Sequence, residues 1–408
     1  MSSTFAMRGP PFDNGLMSTQ VTTIRAIEAG EIAEAADQAG SAMHDGQLAV
    51  FPTETVYGIG AALASAAGME ALRSFKGRPE QPFSVHLPDR DAVWRYVSDD
   101  SALLRRLVRK ALPGPVTLLV EVSDSVIEQK VAALAAELES VCGADAAPAR
   151  LRACLYSRNT IGLRCPDHAA GQAVLGAVKG PVVASSANPK GADAPHDADE
   201  AAAYVGGAAA VIIDGRRCKY AKSSTIVRIA QGAADTKLTV ERDGVFDERF
   251  IRKLTRWTAL MVCSGNTCRS PMAQALAAQM LAQQYNVAPD DLPSVGIVIE
   301  SAGTYAASGQ PASAEGVDAM ARFGMDLARH RSRPVTSDLI NEADVIYCMT
   351  AGHLRAIEQM SPQARDKLQM LDPNGDIDDP IGRDLTAYQR CAELIRRRLK
   401  VRLKEQQP

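Results

Sequence analysis

Residues 260–276, LMVCSGNTCRSPMAQAL, leave little choice of local structure. Thr258 to Val262 read as a buried strand. From Pro271 on, Met272, Leu276 and Met280 recur at helical spacing, and Pro271 suits a first helical turn. A loop between strand and helix can direct its backbone N–H groups, and the positive end of the helix, at an anion. Here five residues separate Cys263 from Arg269. A loop that short can wrap a tetrahedral oxyanion, with the sulfur beneath it and the guanidinium forked over two oxygens. Arginine's planar fork suits phosphate, and lysine would not reproduce that grip. The same N–H groups favour a thiolate at Cys263. A bare C-x5-R arises by chance. The strand before it, Gly265-Asn266 inside it, and Ser270-Pro271 and a helix after it single this one out.

The chain has 408 residues, so two or three domains are expected. A formal net charge of −3 gives no general attraction to nucleic acid. Eight cysteines without a C-x-x-C pair, in a chain this large, argue against zinc and against a disulfide framework. No apolar run approaches a membrane span and no signal-peptide core opens the sequence, so a cytoplasmic setting without membrane contact is expected. Residues 1–20 read as a flexible tail, with Met17 an alternative start. Residues 21–246 alternate strand-like runs (Leu48–Phe51, Val116–Val120, Pro181–Ala184, Val211–Ile213, Thr225–Ile229) with Ala-rich helical patterns, which is α/β. Within them, 123–158 read as an insertion, a helix followed by the loop-like GADAAPAR. Charged residues 247–257 read as a linker or linking helix, and a second α/β pattern fills 258–408.

The N-terminal half carries a dispersed set of polar stretches: AVFPTETVYGIGA (49–61), FKGRPEQPFSVHL (75–87), PGPVT (113–117), TIGLRCPDH (160–168), VVASSANPKG (182–191) and SSTIV (223–227). Lys76, Arg78, Arg164, Ser186, Asn188 and Ser224 follow or interrupt strand-like runs. Cations and hydroxyls so placed suit a cleft for a polyphosphate and a small polar substrate. No Walker loop or G-x-G-x-x-G is present.

Two resemblances follow from these residues. Residues 258–403 resemble a low-molecular-weight protein phosphatase, whose second motif stands here as Asp379-Pro380. The resemblance implies an α/β domain with a central parallel sheet. It makes Cys263 the nucleophile, Arg269 the phosphate clamp and Asp379 the general acid and then base. Asn266 and Ser270 would support the loop and its thiolate, and Cys268 would either pack in the core or, as in the family, pair reversibly with Cys263 on oxidation. No cofactor is implied. Phosphotyrosine-directed relatives usually carry aromatics after Asp-Pro and an aliphatic residue before the second loop cysteine. Here Ile381-Gly382 and Thr267 stand in those places, which resembles the branch that dephosphorylates arginine. Phosphoarginine on protein is therefore the expected substrate, with phosphotyrosine the alternative.

Residues 21–246 resemble the threonylcarbamoyl-AMP synthase (YrdC-like) family, with its K-x-R and S-x-N signatures at Lys76/Arg78 and Ser186/Asn188. The resemblance implies a twisted, open α/β fold. It also implies formation of threonylcarbamoyl-adenylate from L-threonine, bicarbonate and ATP with magnesium, feeding a tRNA modification through partner proteins. Thr55, His86, Arg164, Ser186 and Ser224 would hold threonine. Arg78, Thr160, Asn188 and Arg242 would hold ATP, with Lys76 along its phosphates. No protein metal ligands are implied. The sequence departs from the family in a loop after Arg78 one residue short, in Ser223 for a common glutamate, and in the 123–158 insertion. A non-catalytic nucleotide- or RNA-binding module is the rival reading of this half.

Overall fold

The structure is a computed structural model describing residues 21–78, 82–98, 101–142, 147–231 and 236–406. The expected tail and the short loop after Arg78 lie outside those residues. The chain divides into two compact units, one of residues 1–101 and 111–247, the other of 102–110 and 248–408.

In chain order the first stretch runs β1 (Thr22–Arg25), α1 (Ala29–His44), β2 (Leu48–Phe51), β3 (Gly58–Ala62), α2 (Ala66–Lys76), β4 (Ser84–His86), α3 (Ala102–Ala111) and β5 (Val116–Glu121). It continues with α4 (Asp124–Cys142), α5 (Pro148–Leu155), β6 (Thr160–Arg164), α6 (Ala169–Ala177), β7 (Val182–Ser186), α7 (Ala198–Val205), β8 (Ala209–Asp214), β9 (Thr225–Gln231) and β10 (Thr236–Arg242). Through α3, this stretch contributes residues 102–110 to the second unit. The end of GADAAPAR is helix rather than loop, because Pro148, with its fixed φ and missing N–H, opens α5 at no hydrogen-bond cost.

The ten strands form one mixed sheet, in the order β1-β8-β2-β3-β7-β4-β6-β5-β9-β10. The β2 and β4 strands are three places apart in it, roughly 14 Å if flat. Yet the Phe51 and His86 rings meet edge to face at 6.0 Å. The Phe51 ring reaches sideways over β3, where Gly58 and Gly60 leave it room, and His86 stands opposite Arg164 of β6, so side chains at the ends of separate strands converge. Helices α1 and α6 cover Ala49, Phe51, Ala62, Val182, Ala184, Val211 and Ile213 with an apolar core of their own.

The second stretch runs α8 (Glu248–Leu254), β11 (Trp257–Cys263), α9 (Arg269–Tyr285), β12 (Ile297–Gly303), α10 (Ala314–Ala321), α11 (Ser337–Glu342), β13 (Val345–Cys348), α12 (Ala351–Met360), β14 (Leu368–Met370) and α13 (Leu385–Gln406). Its four strands are all parallel, ordered β12-β11-β13-β14. Alternation along the central strand sorts its side chains. Trp257, Ala259, Met261 and Cys263 join the core with residues of α9, α10 and α13. Leu260 and Val262 join that of α11 and α12. Parity thus delivers Cys263, at the carboxyl end of the central strand, to the face that α9 covers.

No helix among the described residues is long and apolar enough to cross a membrane.

Candidate active sites

The loop from Cys263 to Arg269 is built from its own hydrogen bonds. Cys263 is 2% exposed, and its Sγ lies 2.9 Å from Ser270 Oγ in the first turn of α9. Asn266 takes a left-handed conformation (φ 55°) that asparagine tolerates better than most residues. Its Nδ2 donates to Ser270 Oγ at 3.0 Å and to Ser301 Oγ at 2.9 Å. Its Oδ1 accepts from Arg333 N at 3.0 Å, and its carbonyl accepts from His330 Nε2 at 2.7 Å. Gly303, ending β12, lets the loop pass so close that a Cβ there would lie 2.3 Å from the Ser264 carbonyl oxygen. This network holds the αL kink, and the kink turns the chain back toward Cys263.

Arg269 is 3% exposed. Its Nη1 donates to the Ile377 carbonyl at 2.9 Å, and its Nη2 donates to Asp379 Oδ2 and, at 3.4 Å, to Ser264 Oγ. Its Nε is buried without a partner among the described residues. A desolvated guanidinium N–H left unpaired is costly, and a phosphate oxygen would satisfy it. Asp379, more than a hundred residues along the chain from Arg269, thus pairs with it beside the loop that Cys263 opens.

Thr267 is half-buried. The Thr267 hydroxyl lies within 3.5 Å of where a Gly265 Cβ would stand, and 3.6 Å from Cys268 Sγ. Ile381 is 63% exposed. Tyr305 is 84% exposed, and its backbone N–H donates to the Ser264 carbonyl at 3.0 Å. The sequence reading passed over it because it follows β12 and stands outside both motifs. His330 was also missed, since a histidine sixty-odd residues from the loop carries no local signal.

The N-terminal site gathers residues from many strand ends. Arg164, at the end of β6, donates through Nη2 to Thr53 Oγ1 and Glu54 Oε1, both at 3.2 Å, and to Thr55 Oγ1. Arg164 Nε has no partner among the described residues. His86 Nδ1 lies 3.2 Å from the Ser84 carbonyl and must donate to it, which leaves Nε2 an acceptor. Burial first, then the charge of Arg164, lowers the His86 pKa to about 3, so the ring is neutral. Ser224 Oγ lies 2.9 Å from Thr117 Oγ1, and Arg242 Nη2 donates to the Ser224 carbonyl at 2.8 Å. Gly244 allows that approach, since a Cβ would lie 2.3 Å from Ser224 C. Burial, then Arg164, pushes Arg242 below the ordinary arginine range.

A second cationic pair stands nearby in sequence. Lys76 Nζ donates to the carbonyls of Ser186 at 2.9 Å and Asn188 at 2.5 Å. Burial, then the charge of Arg78, lowers Lys76 to about 8. Arg78 is exposed. Asn188 Nδ2 donates to Pro189 and Ala192 carbonyls at 3.0 and 2.6 Å, while its buried Oδ1 has no partner among the described residues. Both cation pairs repel internally, and an anion placed at either would relieve that. Thr160 does not join Arg164: it begins β6 where Arg164 ends it, and its hydroxyl accepts from Arg228 Nη1 at 3.2 Å. Arg242, expected with ATP, stands beside Ser224, expected with threonine. Thr53, Glu54 and Thr117 were not singled out from sequence, although Glu54 lies inside the quoted PTET stretch.

Known proteins resemble both halves. The family described as Telomere recombination (Sua5, YciO, YrdC) matches residues 41–244, and the low molecular weight phosphotyrosine protein phosphatase family matches residues 258–407. A probable low molecular weight protein-tyrosine-phosphatase, EpsP, from Ralstonia nicotianae is 37% identical over 142 residues, 34% of this chain and 89% of that one. A protein-arginine-phosphatase from Geobacillus stearothermophilus is 37% identical over 134 residues, 32% of this chain and 82% of that one. Threonylcarbamoyl-AMP synthase from Bacillus subtilis is 28% identical over 194 residues, 47% of this chain but only 49% of that one. The chain therefore belongs to two families at once, the Sua5/YciO/YrdC family through residues 41–244 and the low molecular weight protein phosphatase family through residues 258–407.

Proposed function

We propose that this is a bifunctional enzyme. Its C-terminal half hydrolyses protein phosphoarginine through a cysteinyl-phosphate. Its N-terminal half forms threonylcarbamoyl-adenylate from L-threonine, bicarbonate and ATP. The observation that carries the phosphatase reading is Arg269 Nε, buried without a partner among the described residues, in the loop that Cys263 opens. Cys263 Sγ attacks phosphorus, and the P–N bond breaks as Asp379 gives its proton to the leaving guanidine nitrogen. Asp379 then takes a proton from the water that attacks the S–P bond, releasing phosphate and the free thiolate. As the phosphate enters, its oxygens take over Arg269 Nη2, which frees the Asp379 carboxyl for that proton. Thr267, with its hydroxyl beside the loop, favours phosphoarginine. Exposed Tyr305 favours a second reading, phosphotyrosine, by offering an aryl ring a stacking partner. Relatives named for each substrate are 37% identical to this half over the residues they match.

For the synthase, the support lies in the two repelling cation pairs and the neutral His86. Arg164 with Arg242 suits the threonine carboxylate, and His86 Nε2 suits its ammonium as an acceptor. Lys76 with Arg78 suits the triphosphate. Magnesium would be held mainly by ATP's own phosphate oxygens, where it neutralises charge. The protein's part is to position the carbamate against the α-phosphorus and stabilise charge there. The adenylate would go on to tRNA through partner proteins, in the cytoplasm. Purified chain given ATP, threonine and bicarbonate, and separately phosphoarginine and phosphotyrosine, tests both halves. Pyrophosphate release that ignores threonine sinks the synthase reading, and no phosphate release from either phosphoamino acid sinks the other.

A further inference from the structure

Behind the phosphate loop, on the side away from α9, a short polar chain runs to the clamp. Thr350 caps the N-terminus of α12, its hydroxyl accepting from the His353 N–H at 3.3 Å. The same oxygen lies 2.9 Å from His353 Nδ1. His353 Nε2 lies 2.9 Å from Ser264 Oγ, and Ser264 Oγ accepts from Arg269 Nη2 at 3.4 Å. Nothing in the cysteine chemistry above uses this histidine, yet it is 5% exposed and its ring touches the residue directly after the nucleophile.

We propose that His353 is a positioning residue of the phosphate loop: with Nδ1 accepting from Thr350, its Nε2–H holds Ser264 Oγ, and Ser264 in turn sets the Arg269 guanidinium edge toward the bound oxyanion. The tautomer is part of the proposal: Thr350 Oγ1 accepts the α12 backbone N–H and gives its own proton to Nδ1, which makes Nε2 the donor. Ser264 Oγ then accepts from both His353 and Arg269, and its hydrogen is free for a phosphate oxygen. An arginine fork gains its strength from being aligned before the ligand arrives. Burial, then the charge of Arg269, lowers His353 to about 4, opposed by Asp379 and Asp376, so the ring stays a neutral donor across the ordinary assay range.

The inference rests on the phosphatase reading of this site, and its test separates the two. Inorganic phosphate is titrated calorimetrically into the full chain, and the loop component is defined as what Arg269→Ala removes. Dissociation constants at the loop should rise about tenfold in His353→Ala and in Ser264→Ala. His353→Gln, whose amide nitrogen can reach the Nε2 position, should stay within about threefold of the native value, with melting temperatures little changed. If His353→Ala does not fold, Ser264→Ala and His353→Gln carry the test. Unchanged binding in the alanine variants, or a loss in His353→Gln as large as in His353→Ala, overturns the proposal. A chain that shows these shifts but hydrolyses no phosphoamino acid keeps the role of His353 and loses the phosphatase reading. One that hydrolyses phosphoarginine equally well with and without His353 does the reverse.

Discussion

On the proposed function, the two sites would solve one problem, holding an anion away from water, in opposite ways. The phosphate loop is contiguous. Cys263, Asn266, Arg269 and Ser270 lie within eight residues, and local hydrogen bonds shape the turn before any ligand arrives. The N-terminal cleft is dispersed. Thr55, His86, Arg164, Ser224 and Arg242 come from separate segments and meet only because long-range pairing sets β4, β6, β5, β9 and β10 side by side, with His86 opposite Arg164. A contiguous site should fail through the loss of one reacting atom. A dispersed one should fail by degrees, as single charges are removed. Perturbing one site should leave the other working, since they share no residue.

The largest expected effect comes from Cys263→Ser. At neutral pH a hydroxyl is a far poorer nucleophile than a thiolate, so phosphate release should fall by about a thousandfold or more. Adenylate synthesis should stay within about twofold, and an equal loss of both in a folded variant would break the comparison. Lys76→Ala comes next. Removing one phosphate-bound cation typically costs about 1.5–3 kcal/mol, so threonine-dependent pyrophosphate release should drop roughly ten- to a hundredfold while phosphatase activity is spared. Unchanged pyrophosphate release would move the ATP site elsewhere.

Thr267→Ile sharpens the contrast inside the loop. A methyl-scale change in a pocket is worth about 1–3 kcal/mol. The ratio of kcat/KM on phosphoarginine to that on phosphotyrosine should fall about tenfold, and a wild-type preference for phosphotyrosine that the substitution does not move would leave the Tyr305-based reading standing. The smallest effect is one of pH. Lys76 is charged below about 8 and neutral above it, because burial disfavours the ammonium. Since kcat/KM for ATP reports the free enzyme, it should decline as pH rises through 8, by several-fold at pH 9. A flat profile to pH 10 would mean that Lys76 carries no phosphate.

This contrast also explains what the sequence made legible. Cys263, Arg269 and the flanking strand and helix were readable because spacing alone fixes a contiguous loop, and the observed β11 and α9 frame it closely. Asp379 was readable only through family resemblance, and its pairing with Arg269 is a tertiary fact. His330, His353 and Tyr305 reach the loop from β12 onward, where no local pattern marks them. In the N-terminal half, the strand-like runs were placed within a few residues. Which strand ends would meet was not readable, because the order β3-β7-β4-β6-β5-β9 depends on long-range pairing. The β9–β10 hairpin, in which Arg242 pairs with Ile226, sets Arg242 beside Ser224, and Thr160 stands at the far end of β6 from Arg164.

The central claim is that one chain carries two independent chemistries, and orthovanadate tests it most directly, because that oxyanion mimics phosphate in the Cys263 loop. One preparation is assayed for phosphate release from phosphoarginine and for threonine- and bicarbonate-dependent pyrophosphate release from ATP, each with and without a saturating dose. The account predicts that the first activity stops while the second continues within about twofold. Both falling together, or pyrophosphate release absent from the start in a preparation that hydrolyses phosphoarginine, would contradict it.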